Sequence, residues 1–173
     1  MQERYRRSRS RLRHCLADLL QLPAEAVPLH SPPGEAPLLA PGYGHVSLSH
    51  SREQLLLAWS PAAIGVDLEA ATRPLLAEPL ARRFFPAQEW QQLQQLPPAE
   101  RPQAVLQSWV RKEAAIKWSR SGLARDLRHW CWDEARQELQ HLQQGWRPAC
   151  RCRLVDGWWC GVVGDGVTQA IWS

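Results

Sequence analysis

The chain has 173 residues, 45% of them hydrophobic and 22% charged, with a formal net charge of +4. That length supports one domain or two small lobes around a real core, and the composition is that of a soluble globular protein. No apolar run approaches the ~18 residues of a membrane span, and the basic start MQERYRRSRSRLRH is not followed by the apolar segment of a secretory signal.

Residues 3–21 predict an amphipathic helix. Tyr5, Leu12, Leu16 and Leu19 make its apolar side, and Arg4, Arg7 and Arg11 make a cationic stripe. The start, rich in arginine and poor in acid, also fits a mitochondrial-type leader, while Leu12, Leu16, Leu19 and Leu20 have the pattern of a packed helix. Six arginines in the first thirteen residues point to an anionic partner, with a solvated helix face as the bland alternative. Nucleic acid is not expected: no binding motif is present, and most tryptophans sit inside apolar runs. A proline-rich connection follows over 23–44, with one short extended piece at 37–40.

The period then changes to two. HVSLSHS (45–51), QLLLAW (54–59) and IGVDLE (64–69) predict three strands in an antiparallel meander. That arrangement puts His50 at the same end as Asp67 and Glu69. Helices are predicted at 74–83 and 86–96, with Pro86 at the start of the second and Glu89 in its first turn. After PPAERP a longer helix is predicted over 103–119, with Gly122 as its stop. Strands at 150–155, 158–163 and 167–172 make a second meander, turning at Asp156-Gly157 and Gly-Asp-Gly. In outline the order helix–meander–helix–meander repeats.

Three places carry chemistry. On a wheel of about 100° per residue, Glu113 falls inside the apolar stripe of the 103–119 helix, with Lys117 one turn on. A buried carboxylate needs a partner or a metal; a surface Glu113–Lys117 pair is the bland alternative. Alternation in IGVDLE puts Asp67 and Glu69 on one face, a ready pair of oxygen ligands for a hard cation such as Mg²⁺, or a solvated acidic strand end. Ser49, His50 and Ser51 suit phosphate oxygens. A Ser–His hydrolase is disfavoured because adjacent strand residues point to opposite faces. The five cysteines, Cys15, Cys131, Cys150, Cys152 and Cys160, include no CxxC pair. They read as free thiols in a reducing cytoplasm rather than a zinc site.

Together, SLSHS, GVDLE and WVRKEAAIK resemble the motifs of the 4′-phosphopantetheinyl transferase superfamily, Sfp type, in order and spacing. FFPAQEW resembles a further acidic segment of that family, with Glu89 as a possible additional acidic residue. The resemblance runs from about Arg4 to Gly122.

It implies an α+β fold of two pseudo-duplicated lobes, each a helix plus an antiparallel meander, over residues 1–72 and 73–173. The active site would lie between them, and the first lobe is expected to be truncated at its N-terminus. The implied activity is transfer of 4′-phosphopantetheine from coenzyme A to a serine of an acidic acyl or peptidyl carrier protein, releasing 3′,5′-ADP, by a cytoplasmic monomer. Asp67, Glu69 and Glu113 would hold Mg²⁺. Glu113, Lys117 and His50 would be catalytic. Ser49, His50, Lys112, Lys117, Arg4, Arg7 and Arg11 would bind coenzyme A.

The sequence departs from the family at GEAPL (34–38), where Glu35 and Ala36 replace a lysine-proline element. The alternatives are a truncated, non-catalytic carrier-binding remnant and a different Mg²⁺-dependent phosphohydrolase.

Overall fold

The structure, a computed structural model, describes residues 2–121, 126–165 and 167, and of residues 2–7 the backbone alone. Leu12, Leu16 and Ala17 bury one side of helix α1 (Gln2–Leu20) against Val27 and Val46. Arg13 reaches back from that helix to donate to the carbonyls of Ala24, Val27 and Leu29 at 3.1, 2.8 and 3.2 Å. These bonds hold the proline-rich connection under α1. Within the connection, β1 (Leu29–His30) pairs antiparallel with β2 (Leu38–Leu39), which is the short extended piece expected at 37–40.

Strands β3 (His45–Ser51) and β4 (Gln54–Ser60) form a hairpin closed by Arg52 and Glu53. The meander expected from the sequence stops there. β5 (Ile64–Ala70) does not continue the β3–β4 ladder. It pairs antiparallel with β9 (Trp158–Gly164), which pairs in turn with β8 (Cys150–Val155). β5 is therefore an edge strand, and β3 covers its edge with serine hydroxyls instead of a backbone ladder. The Val66 N–H donates to Ser47 Oγ at 3.0 Å, Ser49 Oγ donates to Asp67 Oδ1 at 2.7 Å, and Ser51 Oγ donates to Glu69 Oε2 at 3.0 Å. The rungs climb both strands together, so β3 and β5 run the same way. His50, Asp67 and Glu69 thus do share one end, through side chains rather than through a shared ladder.

Helices α2 (Ala77–Phe84) and α3 (Ala87–Gln94) lead to α4 (Arg101–Ser119). Two glycines decide how closely α4 sits on the sheet. A Cβ on Gly65 of β5 would stand 2.0 Å from the Ala114 carbonyl oxygen and 2.4 Å from the Trp118 nitrogen; one on Gly161 of β9 would stand 2.8 Å from Val110 Cγ1. Only a bare backbone admits the helix at this distance.

No element is expected from the sequence over 123–149. The structure has a hairpin there, β6 (Trp130–Asp133) with β7 (Glu138–His141). Its Trp130, Trp132 and Leu139 complete a core with Ala114, Ala115, Ile116 and Val163. α4 ends before Gly122, with Arg120 as its cap in the left-handed region at φ 55°. Gly122, and the strand expected at 167–172 apart from Val167, lie outside the described residues. The fold is mixed α/β, with antiparallel ladders throughout the described residues. No helix among them is long and apolar enough to cross a membrane.

Candidate functional site

Gly65, Asp67 and Glu69 alternate onto the same face of β5, the face on which α4 rests. Glu113 and Lys117 lie one turn apart on α4 above that face. Lys117 Nζ stands 2.7 Å from Asp67 Oδ1, the same oxygen that accepts from Ser49. Glu69 is ion-paired with Arg73 and accepts from Ser51. Glu113 is buried, at 7% exposure. Burial and the nearby charge of Asp67 push its pKa up to about 7, with Glu69 adding to the rise and Lys117 and Arg73 opposing it.

Three carboxylates therefore share one region with two cations, and the excess is negative. The donor set is oxygen only, which suits a hard divalent ion. The structure holds Asp67 and Glu69 on their cationic partners. Among the described residues, only Asp126, His129 and His141 offer three ligand atoms all within 4.8 Å of one another.

That second cluster is a closed hydrogen-bond network that the sequence reading missed. The Gln144 N–H donates to His141 Nδ1 at 3.1 Å, so His141 Nε2 keeps its proton and donates to Asp126 Oδ1 at 2.9 Å. Trp130 Nε1 donates to Asp126 Oδ2 at 3.3 Å, and Ser121 donates to the same oxygen. Burial alone would raise the Asp126 pKa. The hydrogen bonds from Ser121, His141 and His129 outweigh it and hold the carboxyl below its ordinary value. The network pins the β6–β7 hairpin to the end of α4.

Beside Lys117 opens a cavity of about 1110 Å³ between α1, residues 35–37, β3, the β3–β4 turn and the end of α4. Arg9, Arg11, Arg52, Lys117, Arg120 and His50 line it, against the carboxylates of Glu35 and Glu53. Arg9 Nη2 also donates to the Glu35 carbonyl at 3.0 Å. Of the arginines expected here, Arg11 reaches the wall, and the side chains of Arg4 and Arg7 lie outside the described residues. Arg9, Arg52 and Arg120 were not singled out in the sequence. Their signal was weak, because charged residues in turns and on a helix face are ordinary solvated groups.

The structure places Lys112, Glu89 and Ser49 in the interior rather than on the cavity wall. Lys112 is fully buried and does not line the cavity. Its Nζ lies 2.6 Å from Glu89 Oε2 and 3.5 Å from the centre of the Phe85 ring. Glu89 is buried with it and also accepts from Ser108 Oγ and from the Trp132 N–H. This pair joins α3 to α4 inside the protein, and neither residue lines the cavity. Ser49 is likewise buried, and its hydroxyl donates to Asp67. The cysteines are all unpaired, and burial pushes Cys150 up to about 12 and Cys152 up to about 11.

Residues 63–163 match the model of the 4′-phosphopantetheinyl transferase superfamily. The chain belongs to that superfamily. It is 34% identical over 119 residues to the 4′-phosphopantetheinyl transferase psf-1 of Bacillus pumilus, covering 67% of this chain and 49% of that protein. It is 35% identical over 80 residues to the 4′-phosphopantetheinyl transferase HetI of a Nostoc species, covering 46% of this chain and 34% of that protein. The chain thus spans about half or less of the length of these curated relatives. The span that matches the superfamily contains Asp67, Glu69, Glu113 and Lys117, and both glycines that seat α4. The cationic wall from α1, β3 and the β3–β4 turn lies outside it.

Proposed function

We propose that this chain transfers 4′-phosphopantetheine from coenzyme A to a serine hydroxyl of an acyl or peptidyl carrier protein. The observation that carries this reading is the juncture at Lys117: a cation-lined cavity on one side and the carboxylates Asp67, Glu69 and Glu113 on the other. A phosphoanhydride lying across that juncture meets cations along its length and acids at its reacting end.

Glu113, with a pKa near 7, has the proton affinity of a general base at neutral pH. It takes the proton from the carrier serine. The serine oxygen bonds to the phosphorus that carries the pantetheine, and the bond from that phosphorus to the bridging oxygen breaks. The electron pair leaves with 3′,5′-ADP. Lys117 turns from Asp67 toward the charge that builds on the leaving phosphate. His50, on the cavity wall, supports the same oxygens. Asp67, Glu69 and Glu113 are the residues that would hold Mg²⁺, which when bound offsets the charge of the pyrophosphate. The division into two lobes at about residue 72, with the site between them, belongs to the same proposal. So do an acidic carrier facing the basic first helix, a monomeric state, and a cytoplasmic setting in which the thiols stay reduced.

Intact-mass spectrometry of an apo carrier protein tests the proposal. With the chain, coenzyme A and Mg²⁺, the carrier should gain one phosphopantetheine, and Glu113→Gln should abolish the gain. If the folded chain gives no gain with any of several carriers, the transferase reading fails in favour of a carrier-binding protein. Coenzyme A cleaved without a carrier would make the chain a phosphohydrolase.

A further inference from the structure

The two acids of β5 are held unequally. Asp67 accepts from Ser49 and from Lys117 through Oδ1 alone, so among the described residues its Oδ2 has no hydrogen bond or ion pair. Both oxygens of Glu69 are engaged: Ser51 donates to Oε2, and Arg73 is ion-paired with Oε1. A divalent cation at Oε1 would stand against the guanidinium, and like charges at contact repel strongly where water is partly excluded. One of the two must leave.

The chain lets the arginine leave without disturbing the acids. Arg73 follows β5 in a turn whose backbone is tied. Its own N–H donates to the Ala70 carbonyl at 2.9 Å, the Ala71 N–H donates to the Gly157 carbonyl at 2.9 Å, and the Ala71 carbonyl accepts from Gln103 Nε2 at 2.8 Å. Pro74 follows with its own φ fixed. The Arg73 side chain is 36% exposed, and among the described residues Glu69 is its sole hydrogen-bond or ion-pair partner. Rotation of that one side chain uncovers Oε1, while Ser51 keeps its hold on Oε2. Lys117 differs in this respect. It lines the cavity and leaves Asp67 an open oxygen, whereas Arg73 does not line the cavity and closes Glu69.

Resting on the transferase reading above and the acids it assigns to a metal, we propose that Arg73 competes with a divalent cation for Glu69. It thereby sets the affinity of Asp67, Glu69 and Glu113 for that cation. Arg73 is a positioning residue: it touches neither coenzyme A nor the carrier serine and acts through Glu69.

Titration of Mn²⁺ into the full chain, read by the electron paramagnetic resonance of the free ion, tests this without coenzyme A or carrier. A charge-assisted bond at a partly exposed site predicts that Arg73→Gln binds Mn²⁺ about five- to tenfold tighter than the parent. Arg73→Lys keeps the charge, and because the contact is made through one nitrogen it should stay close to the parent. An exposed position of this kind tolerates both changes. The direction separates the proposal from a bracing role, since loss of a residue that only steadied Glu69 would weaken the metal. The proposal is overturned if Arg73→Gln binds Mn²⁺ no more tightly than the parent, or if Arg73→Lys tightens binding as much as Arg73→Gln does. A parent and an Arg73→Gln variant that both bind no Mn²⁺ would overturn the metal assignment of the three acids, and this proposal with it. A chain that binds Mn²⁺ in the expected order yet modifies no carrier would support Arg73 as the competitor and sink only the transferase reading.

Discussion

Glu113 is the residue on which pH should act. Its carboxyl has an ordinary pKa of 4.5 and is raised to about 7 in the fold. Between those values the folded chain keeps a proton that the unfolded chain has released. The stability linked to this group is therefore full below about pH 4.5 and is lost as pH rises through about 7, by roughly 3 kcal/mol in all. Urea unfolding across that range should show stability falling toward pH 8, and Glu113→Gln should flatten the fall and exceed the parent at pH 8. A parent whose stability does not decline over this window would refute the account of burial and carboxylate repulsion. The inward place of Glu113 was legible in the sequence, because a helical wheel fixes direction around an axis. The fate of its neighbour Lys112 was not. The wheel is silent on what waits on the other side, and Glu89 arrives there on a separate helix.

At the scale of elements, the site depends on how far α4 stands from β5. Gly65→Ala would press a methyl group onto backbone atoms of α4, which cannot swing aside as a side-chain tip can. The expected cost is about 1–3 kcal/mol of stability. If the proposed roles hold, activity should fall further than the stability loss accounts for, since Asp67 and Glu69 would shift against Glu113 and Lys117. A thermal melt beside a carrier-modification assay reads both. The Lys112–Glu89 pair fixes the same helix from behind. Lys112→Met alone leaves a buried, uncompensated carboxylate and should cost about 3–5 kcal/mol, whereas Lys112→Met with Glu89→Leu should cost much less. Denaturant unfolding of the single and double variants checks this. The elements themselves were largely readable from period and punctuation: α1, α4 and β3 to β5 fall where the pattern puts them. Strand partners were not. β5 and β9 meet across most of the chain, and the alternation of a strand says which face is apolar without saying who stands at its edge.

At the scale of the whole molecule, the two sides of the site should respond to different ions. Coenzyme A together with Mg²⁺ should stabilise the folded chain, by about 2.7 kcal/mol at a ligand concentration of 100 times Kd. Differential scanning fluorimetry would record this as a rise in Tm. Glu113→Gln should blunt the part that depends on Mg²⁺ more than the part due to coenzyme A alone. Added salt should weaken the coenzyme A part, because Arg11, Arg52 and Arg120 of the cavity wall are exposed and mobile ions screen them. A Tm that ignores both ligands would favour a protein that docks a carrier without acting on it.

The serine rungs between β3 and β5 make a seam of a particular kind. An ordinary ladder protects amides in pairs and opens only when strands part. Here the Val66 amide is guarded by a single hydroxyl that turns on one bond. Hydrogen exchange should therefore find this amide opening by side-chain rotation, independently of global unfolding, and Ser47→Ala should speed its exchange while leaving the β5–β9 amides slow. Two of the three hydroxyls also fasten Asp67 and Glu69. The seam that joins the two sheets is thus the same set of atoms that aims the acids, and a loosening of one would be felt as a misalignment of the other.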